Sequence, residues 1–382
     1  MDNLFRKNYL NNKSLENLKI FKYNSENESI VYNNLISPFL DNYFMKILPR
    51  WIAPNLITIL SFLFNFITFI MILLETKFDY DKRLSRICIG LKAFSHLIYI
   101  ILDNADGKQA RRTKTSSPLG LLLDHGLDAL TTTIVAFNCS FMTSTGNNTL
   151  TSYYLFFGLY WGYFICNYEE YRTGKMFLGK INGPDEGNFI VFLSALISFI
   201  FGPEFWQIKI YSDFRIVDLL VLFVFIGSIL CTIEALLHIL KGKTENMKEI
   251  EIFLKDSFWI MNAMILPYLT CYFDRNYYFR NMSFFLFLIS IIFLRIGVEV
   301  LINIVCKRKM IHNSLIILII ILWYISLFLT ANGLILYFNI IFYIIYILSL
   351  VLFLELLKFL ISVTIEIRDY LGVSLIRIDL KD

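Results

Sequence analysis

The chain has 382 residues, of which 57% are hydrophobic and only 17% charged. Soluble domains carry nearer a quarter of charged residues, so the composition excludes an ordinary soluble globule and indicates an all-α polytopic membrane protein. The formal net charge of +4 is small and scattered through loops, which argues against a nucleic-acid partner. Cys88, Cys139, Cys166, Cys231, Cys271 and Cys306 lie scattered in apolar segments without a CxxC pair. Neither a zinc site nor a disulfide framework is indicated.

Residues 1–50 are polar and rich in Asn and Lys, unlike a cleavable signal, and read as a cytosolic arm. Within it, Ile36 to Met45 is amphipathic enough for an interfacial helix. Ten apolar segments follow, at 56–74, 86–102, 119–142, 151–166, 189–201, 217–240, 258–273, 283–305, 315–329 and 334–353, the last with room to continue to 364. Most match a bilayer core of about 30 Å at about 1.5 Å per helical residue. The organisation expected is an arm at 1–50, a catalytic helical unit at 51–190, additional transmembrane helices at 191–365 and a cytosolic tail at 366–382. With the amino end in the cytosol, the loops on that side hold fourteen Lys and Arg and the opposite loops seven. The positive-inside rule favours this orientation. It places the acceptor pattern Asn147-Asn148-Thr149 on the lumenal side.

The stretch LDNADGKQARRTKTSSPLGLLLDHGLDAL at 102–130 carries the chemistry. Asp103 and Asp106 are three apart, and Asp124 and Asp128 four apart, so each pair shares one face of its helix. Carboxylates that close to hydrocarbon need partners. Pro118 suits the first position of a new helix, with Ser116 or Ser117 as its cap. The expected shape is a helix, a basic turn bearing Lys108, Arg111, Arg112 and Lys114, and a second helix folding back. Four carboxylates then meet across a narrow gap. Hard oxygen ligands of this kind suit Mg²⁺ or Mn²⁺, and two such ions are a standard device for holding a pyrophosphate. Gly107 leaves room for a ligand near the backbone, Gly120 lets the helices approach, and the basic side chains offer donors to phosphate oxygens. Phosphoryl chemistry at a membrane surface, with a lipid acceptor, is the reaction class these features favour.

The spacing Asp103-x2-Asp106-Gly107-x2-Ala110-Arg111-x8-Gly120-x3-Asp124-x3-Asp128 matches the CDP-alcohol phosphotransferase signature at all eight fixed positions over 26 residues. DGKQARRT, SSPLG and DHG-x-D, with WIAPNLIT at 51–58 and NYEEYRTGKMFLGKINGPDEG at 167–187, resemble the eukaryotic choline/ethanolamine phosphotransferase branch. The resemblance implies metal ligation by Asp103, Asp106, Asp124 and Asp128, with two ions gripping the CDP pyrophosphate. It implies that Asn55, Gly107, Ala110, Arg111 and Glu186 line the nucleotide site. His125 is then the favoured base for the diacylglycerol hydroxyl, and Asp128 has also been cast as a base. The branch usually has Glu where this chain has Leu121, which removes one helper of His125. The implied substrates are CDP-choline or CDP-ethanolamine and diacylglycerol, in the membrane of the endoplasmic reticulum or Golgi, in a family where homodimers are common.

Two rival readings stand beside this one. The first keeps the fold but uses CDP-diacylglycerol with a small alcohol acceptor. The second is a transporter using intramembrane carboxylates, which the absence of inverted repeats disfavours. The remaining buried charges read as structural: Arg295 with Glu299 and Glu234 with His238 as i,i+4 pairs, Glu355 with Lys358 as snorkelling side chains, and His96 and Lys92 as packed or paired. Tyr168 and Tyr171 are the aromatic residues nearest the motifs that could face a choline cation.

Overall fold

Long runs of Leu, Ile, Val and Phe must pair every backbone polar group internally in hydrocarbon, and helices do so. The computed structural model describes residues 9–147, 149–241 and 243–372 and is helical almost throughout. The arm holds α1 (Asn12–Ile20) and then a helical run in which π-turns at Tyr32–Ile36 and Leu40–Phe44 alternate with α2 (Ser37–Phe39) and α3 (Met45–Ile47). Ten long helices follow: α4 (Pro54–Thr76), α5 (Arg86–Thr113), α6 (Pro118–Met142), α7 (Thr151–Thr173), α8 (Asn188–Phe201), α9 (Ile216–Leu240), α10 (Asn246–Phe273), α12 (Met282–Cys306), α13 (Ser314–Ala331) and α14 (Ile335–Leu371). The short α11 (Arg275–Arg280) links α10 to α12.

Every expected apolar segment is thus a helix, as the all-α polytopic reading expected. Among the described residues, eight helical segments are long and apolar enough to cross a membrane, and α7 and α10 are not among them. Both are diluted by polar turns. The last turns of α7 carry Asn167, Glu169, Glu170 and Arg172, and the first turns of α10 read NMKEIEIFLKD. The final helix runs to Leu371, past the expected boundary at 365, and residues 373–382 of the expected tail lie outside the described residues.

α12 is buried almost on all sides and packs against α6, α7, α10 and α14. α4 packs on α5 and α6, α8 covers α5, and α9 covers α7. The arm is tied to the bundle rather than free. A short parallel bridge pairs β1 (Ser25–Asn27) with β2 (Met176–Leu178), just after α7. Asn17 donates to the Cys306 carbonyl at 2.7 Å, and the backbone N–H groups of Tyr9 and Leu10 reach the Glu366 carboxylate at 3.2 and 3.3 Å. The 32–47 run buries Ile36 and Leu40 against Tyr99, Ile100 and Ala105 and exposes Leu35, Phe39, Tyr43 and Ile47. It has the two-faced character expected of an interfacial helix. At the opposite end of the bundle, β3 (Lys209–Tyr211) and β4 (Phe214–Arg215) form a small hairpin. There Asn147 donates to Asp79 at 2.7 Å and accepts from the Tyr80 backbone at 2.9 Å.

The buried charges pair partly as expected. Arg295 meets Glu299 at 3.0 Å and also Glu355 at 3.1 Å, so Glu355 turns inward instead of snorkelling with Lys358. His238 pairs with Glu169 on α7 at 2.5 Å, not with Glu234. Lys92 donates to Asn65, and His96 lies 3.2 Å from the Asn188 carbonyl, so both are held by α4 and α8 neighbours.

Candidate active site

The site forms where α5 and α6 meet beside the start of α4. α5 continues as helix to Thr113, so Asp103, Asp106 and Arg111 sit on regular helical turns. The connection is only four residues long, from Lys114 in the left-handed conformation (φ 58°) to Ser117. The expected turn is therefore shorter than the charge pattern suggested. Ala, Lys, Gln and Arg are good helix formers, and Gly107 is the sole weak point between Asp106 and Thr113. Ser117 caps α6, accepting from the Gly120 N–H at 3.0 Å, with Pro118 at its first position.

Asp103, Asp124 and Asp128 each offer a carboxylate oxygen within 4.8 Å of the other two. Oδ1 of Asp103 is buried and has no hydrogen-bond partner among the described residues. Tyr99, one turn before Asp103, donates its hydroxyl to Oδ1 of Asp128 at 2.9 Å. Asp106 is buried one turn further on, and its Oδ2 accepts from the Thr58 hydroxyl at 2.5 Å. Carboxylates packed this closely repel one another unless cations intervene. An orphaned buried carboxylate oxygen among three converging hard ligands fits a divalent ion such as Mg²⁺ or Mn²⁺.

The nucleotide-side residues divide. Asn55, on the first turn of α4, directs its Oδ1 at Gly120, where a Cβ would lie 3.3 Å away. Gly107 lies under the Arg111 guanidinium, which a Cβ would meet at 3.5 Å. Arg111 is exposed and has no ion pair among the described residues, so its donors remain available. Ala110 is half-buried on the same helix and carries the carbonyl that closes the end of α5, accepting from Thr115 at 3.0 Å.

Lys108 and Arg112 point elsewhere. Lys108 holds Asp41 at 2.8 Å and Ser37 at 2.9 Å, and its ammonium keeps the Asp41 carboxyl below the usual carboxylate range. Arg112 donates to the carbonyls of Met45 and Leu48 at 2.6 and 3.1 Å. Gln109 donates to Pro49 and Ile52 at 2.9 and 3.0 Å. Two of the four basic side chains therefore fasten the arm instead of facing phosphate.

Glu186 likewise stays out of the converging carboxylates. Its Oε1 accepts from the Ser29 hydroxyl at 2.8 Å and the Val31 N–H at 3.0 Å, and its Oε2 from the Asn182 N–H at 3.0 Å. His125 is buried, accepts at its backbone carbonyl from the Tyr163 hydroxyl at 2.5 Å, and leaves Nδ1 without a partner. Leu121, where a Glu is usual in the branch, packs half-buried against the main apolar core. Tyr168 and Tyr171 do not form a cage at the aspartates. Tyr168 donates to Asp256 at 3.0 Å and Tyr171 accepts from the Met310 N–H at 3.2 Å.

Sequence reasoning missed Thr58, Tyr99 and Tyr23. Tyr99 lies one helical turn from Asp103, a signal that periodicity could have supplied. Tyr23 had no local signal: it reaches His125 edge-on, with ring centroids 6.1 Å apart, only because the arm pairs with β2.

Comparison with known proteins agrees with this geometry. Residues 51–184 match the profile of the CDP-alcohol phosphatidyltransferase family. The chain is 34% identical over 200 residues to an uncharacterised class-I protein of that family from Dictyostelium discoideum, covering 52% of this chain and 50% of the relative. It is 32% identical over 203 residues to cholinephosphotransferase 1 and 34% identical over 205 residues to choline/ethanolaminephosphotransferase 1, both from Saccharomyces cerevisiae. These two matches cover 53% and 52% of this chain and 51% and 50% of the relatives. The chain thus spans about half the length of these curated relatives. The matched region contains all of α4, α5, α6 and α7, and the converging aspartates. Residues 51–184 of this chain are thus similar to the CDP-alcohol phosphatidyltransferase domain.

Proposed function

We propose that the protein transfers phosphocholine or phosphoethanolamine from CDP-choline or CDP-ethanolamine to diacylglycerol, releasing CMP. The observation that carries this reading is the convergence of Asp103, Asp124 and Asp128 within 4.8 Å, with Asp106 beside them. Mg²⁺ or Mn²⁺ bound by these carboxylates supplies charge neutralisation for a pyrophosphate and its leaving oxygen. Asn55, Gly107, Ala110 and Arg111 line the approach from the arm end, where Arg111 offers paired donors to phosphate oxygens. His125 takes the proton of the diacylglycerol hydroxyl, and its buried, unpartnered Nδ1 is suited to that task. Asp128 remains a second candidate base at the same end, oriented by Tyr99. Glu186 supports the site indirectly, through the arm it holds. Most of the acceleration comes from positioning and electrostatics, as in other phosphoryl transfers.

The membrane orientation follows from the basic loops. The excess of Lys and Arg at the arm end supports a cytosolic orientation, and the resemblance to the choline/ethanolamine phosphotransferase branch supports an endoplasmic reticulum or Golgi membrane. The test is CMP release from the purified protein with each CDP-amino-alcohol and diacylglycerol, with and without EDTA. EDTA and Asp124→Ala should each abolish release. Undiminished release under both conditions would overturn the metal site. Release from CDP-diacylglycerol alone would transfer the assignment to the small-alcohol branch.

A further inference from the structure

Glu170 is a buried carboxylate without a cation. It is 2% exposed, its Oε2 is buried and unpartnered, and its side chain makes no hydrogen bond or ion pair among the described residues. Its neighbour Glu169 is satisfied by His238 at 2.5 Å, so the contrast lies between adjacent residues of one helix. A buried, uncompensated carboxylate is costly unless it takes up a proton or a cation comes to it.

Its surroundings point the same way. Tyr163, Asn167 and Glu170 are spaced i, i+4, i+7 on α7 and share one face. Tyr163 is bound to the His125 carbonyl at 2.5 Å, which turns that face toward the active site. Oδ1 of Asn167 and Nδ1 of His125 are also buried without partners. The Glu170 carboxylate oxygen and the Asn167 amide oxygen are thus both buried acceptors without a partner, and a positively charged ligand would answer them. From the arm, Tyr23 lays its ring edge-on to His125 at 6.1 Å. Burial of its hydroxyl end, and then the Glu170 carboxylate, push the Tyr23 hydroxyl up, with Asp124 and Arg111 also within electrostatic reach. The region therefore adjoins both the aspartates and the guanidinium assigned to phosphate. Tyrosine rings beside a carboxylate make a favourable environment for an ammonium, methylated or not.

We propose that Glu170, with Tyr23 and Tyr163 around it and Asn167 beside it, receives the cationic head of the CDP-amino-alcohol and makes the enzyme select donors that carry a positive charge. This rests on the transferase reading above and assigns its donor specificity. One carboxylate and one amide oxygen are too few for a further divalent ion, which takes six or more oxygens. An organic cation needs fewer.

The test compares kcat/KM for CDP-choline, CDP-ethanolamine and the uncharged isostere CDP-3,3-dimethylbutanol, using the full chain in lipid. The wild type should favour both charged donors over the isostere by about tenfold or more. Glu170→Gln should cut that preference to less than about threefold, chiefly through KM, leaving the Mg²⁺ dependence unchanged. Tyr23→Leu, at a partly exposed arm position, should also lower the preference, and Tyr23→Phe should keep it. A Glu170→Gln enzyme that retains the wild-type preference, or that loses all three donors equally, would overturn the proposal. A wild-type protein that releases CMP from no donor would instead overturn the transferase reading itself.

Discussion

Replacing Thr58 with Val removes one hydroxyl and keeps the side-chain shape. In the folded protein that hydroxyl donates to Oδ2 of Asp106 at 2.5 Å, with both residues only 4% exposed. The bond ties α4 to α5 and fixes which oxygen of Asp106 remains for a metal ion. A hydrogen bond to a charged group is worth about 1.5–3 kcal/mol when buried, or roughly 10- to 100-fold in an equilibrium constant. Loss of a partner that orients a metal-binding side chain falls in the same range, about 10- to 100-fold in metal affinity. Thr58→Val should therefore raise the Mg²⁺ or Mn²⁺ concentration for half-maximal CMP release by about 10- to 100-fold. Activity at saturating metal should recover to within a few-fold of wild type, and Thr58→Ser should stay near wild type. The measurement is CMP release against metal concentration at fixed CDP-amino-alcohol. A Thr58→Val titration superimposable on wild type would refute the idea that Asp106 acts as a metal ligand oriented by Thr58.

Two further substitutions probe the walls of the site. Gly120→Ala places a methyl group 3.3 Å from Asn55 Oδ1 and 3.4 Å from Ser117 Oγ, so Asn55 must yield. Its KM for the CDP-amino-alcohol should rise several-fold while thermal stability holds, because Ala favours the helix by up to about 1 kcal/mol; an unchanged KM would show that Asn55 does not meet the nucleotide. Glu186→Gln replaces one accepting oxygen with an NH₂ in a carboxylate bonded to Ser29, Val31 and Asn182. The arm should loosen by about 1–3 kcal/mol, seen as faster hydrogen exchange at 25–34 with the 12–20 helix unaffected, and equal exchange in both segments would refute that clamp.

The two halves of the problem were legible to different degrees. Hydropathy located all ten long helices, because an apolar run in lipid has no backbone partner other than itself. The spacing of Asp103, Asp106, Asp124 and Asp128 likewise settled which faces of α5 and α6 carry carboxylates, since periodicity is local. Ser117 and Pro118 marked the start of α6 for the same reason. What local pattern could not decide was how charges are spent. Lys108 and Arg112 look identical to Arg111 in a basic run, yet they fasten the arm at Asp41, Met45 and Leu48, while Arg111 lies free over Gly107. His238 passes over its i−4 neighbour Glu234 for Glu169 on another helix. Tyr23 and Glu170, 147 positions apart in the chain by their numbering, share one corner of the site because three arm residues pair with β2. Such choices depend on which side chains the folded bundle brings within a few ångströms. Burial then sets the energy at stake: an ion pair in water is nearly neutral, whereas a charge inside this bundle must find a partner or a ligand.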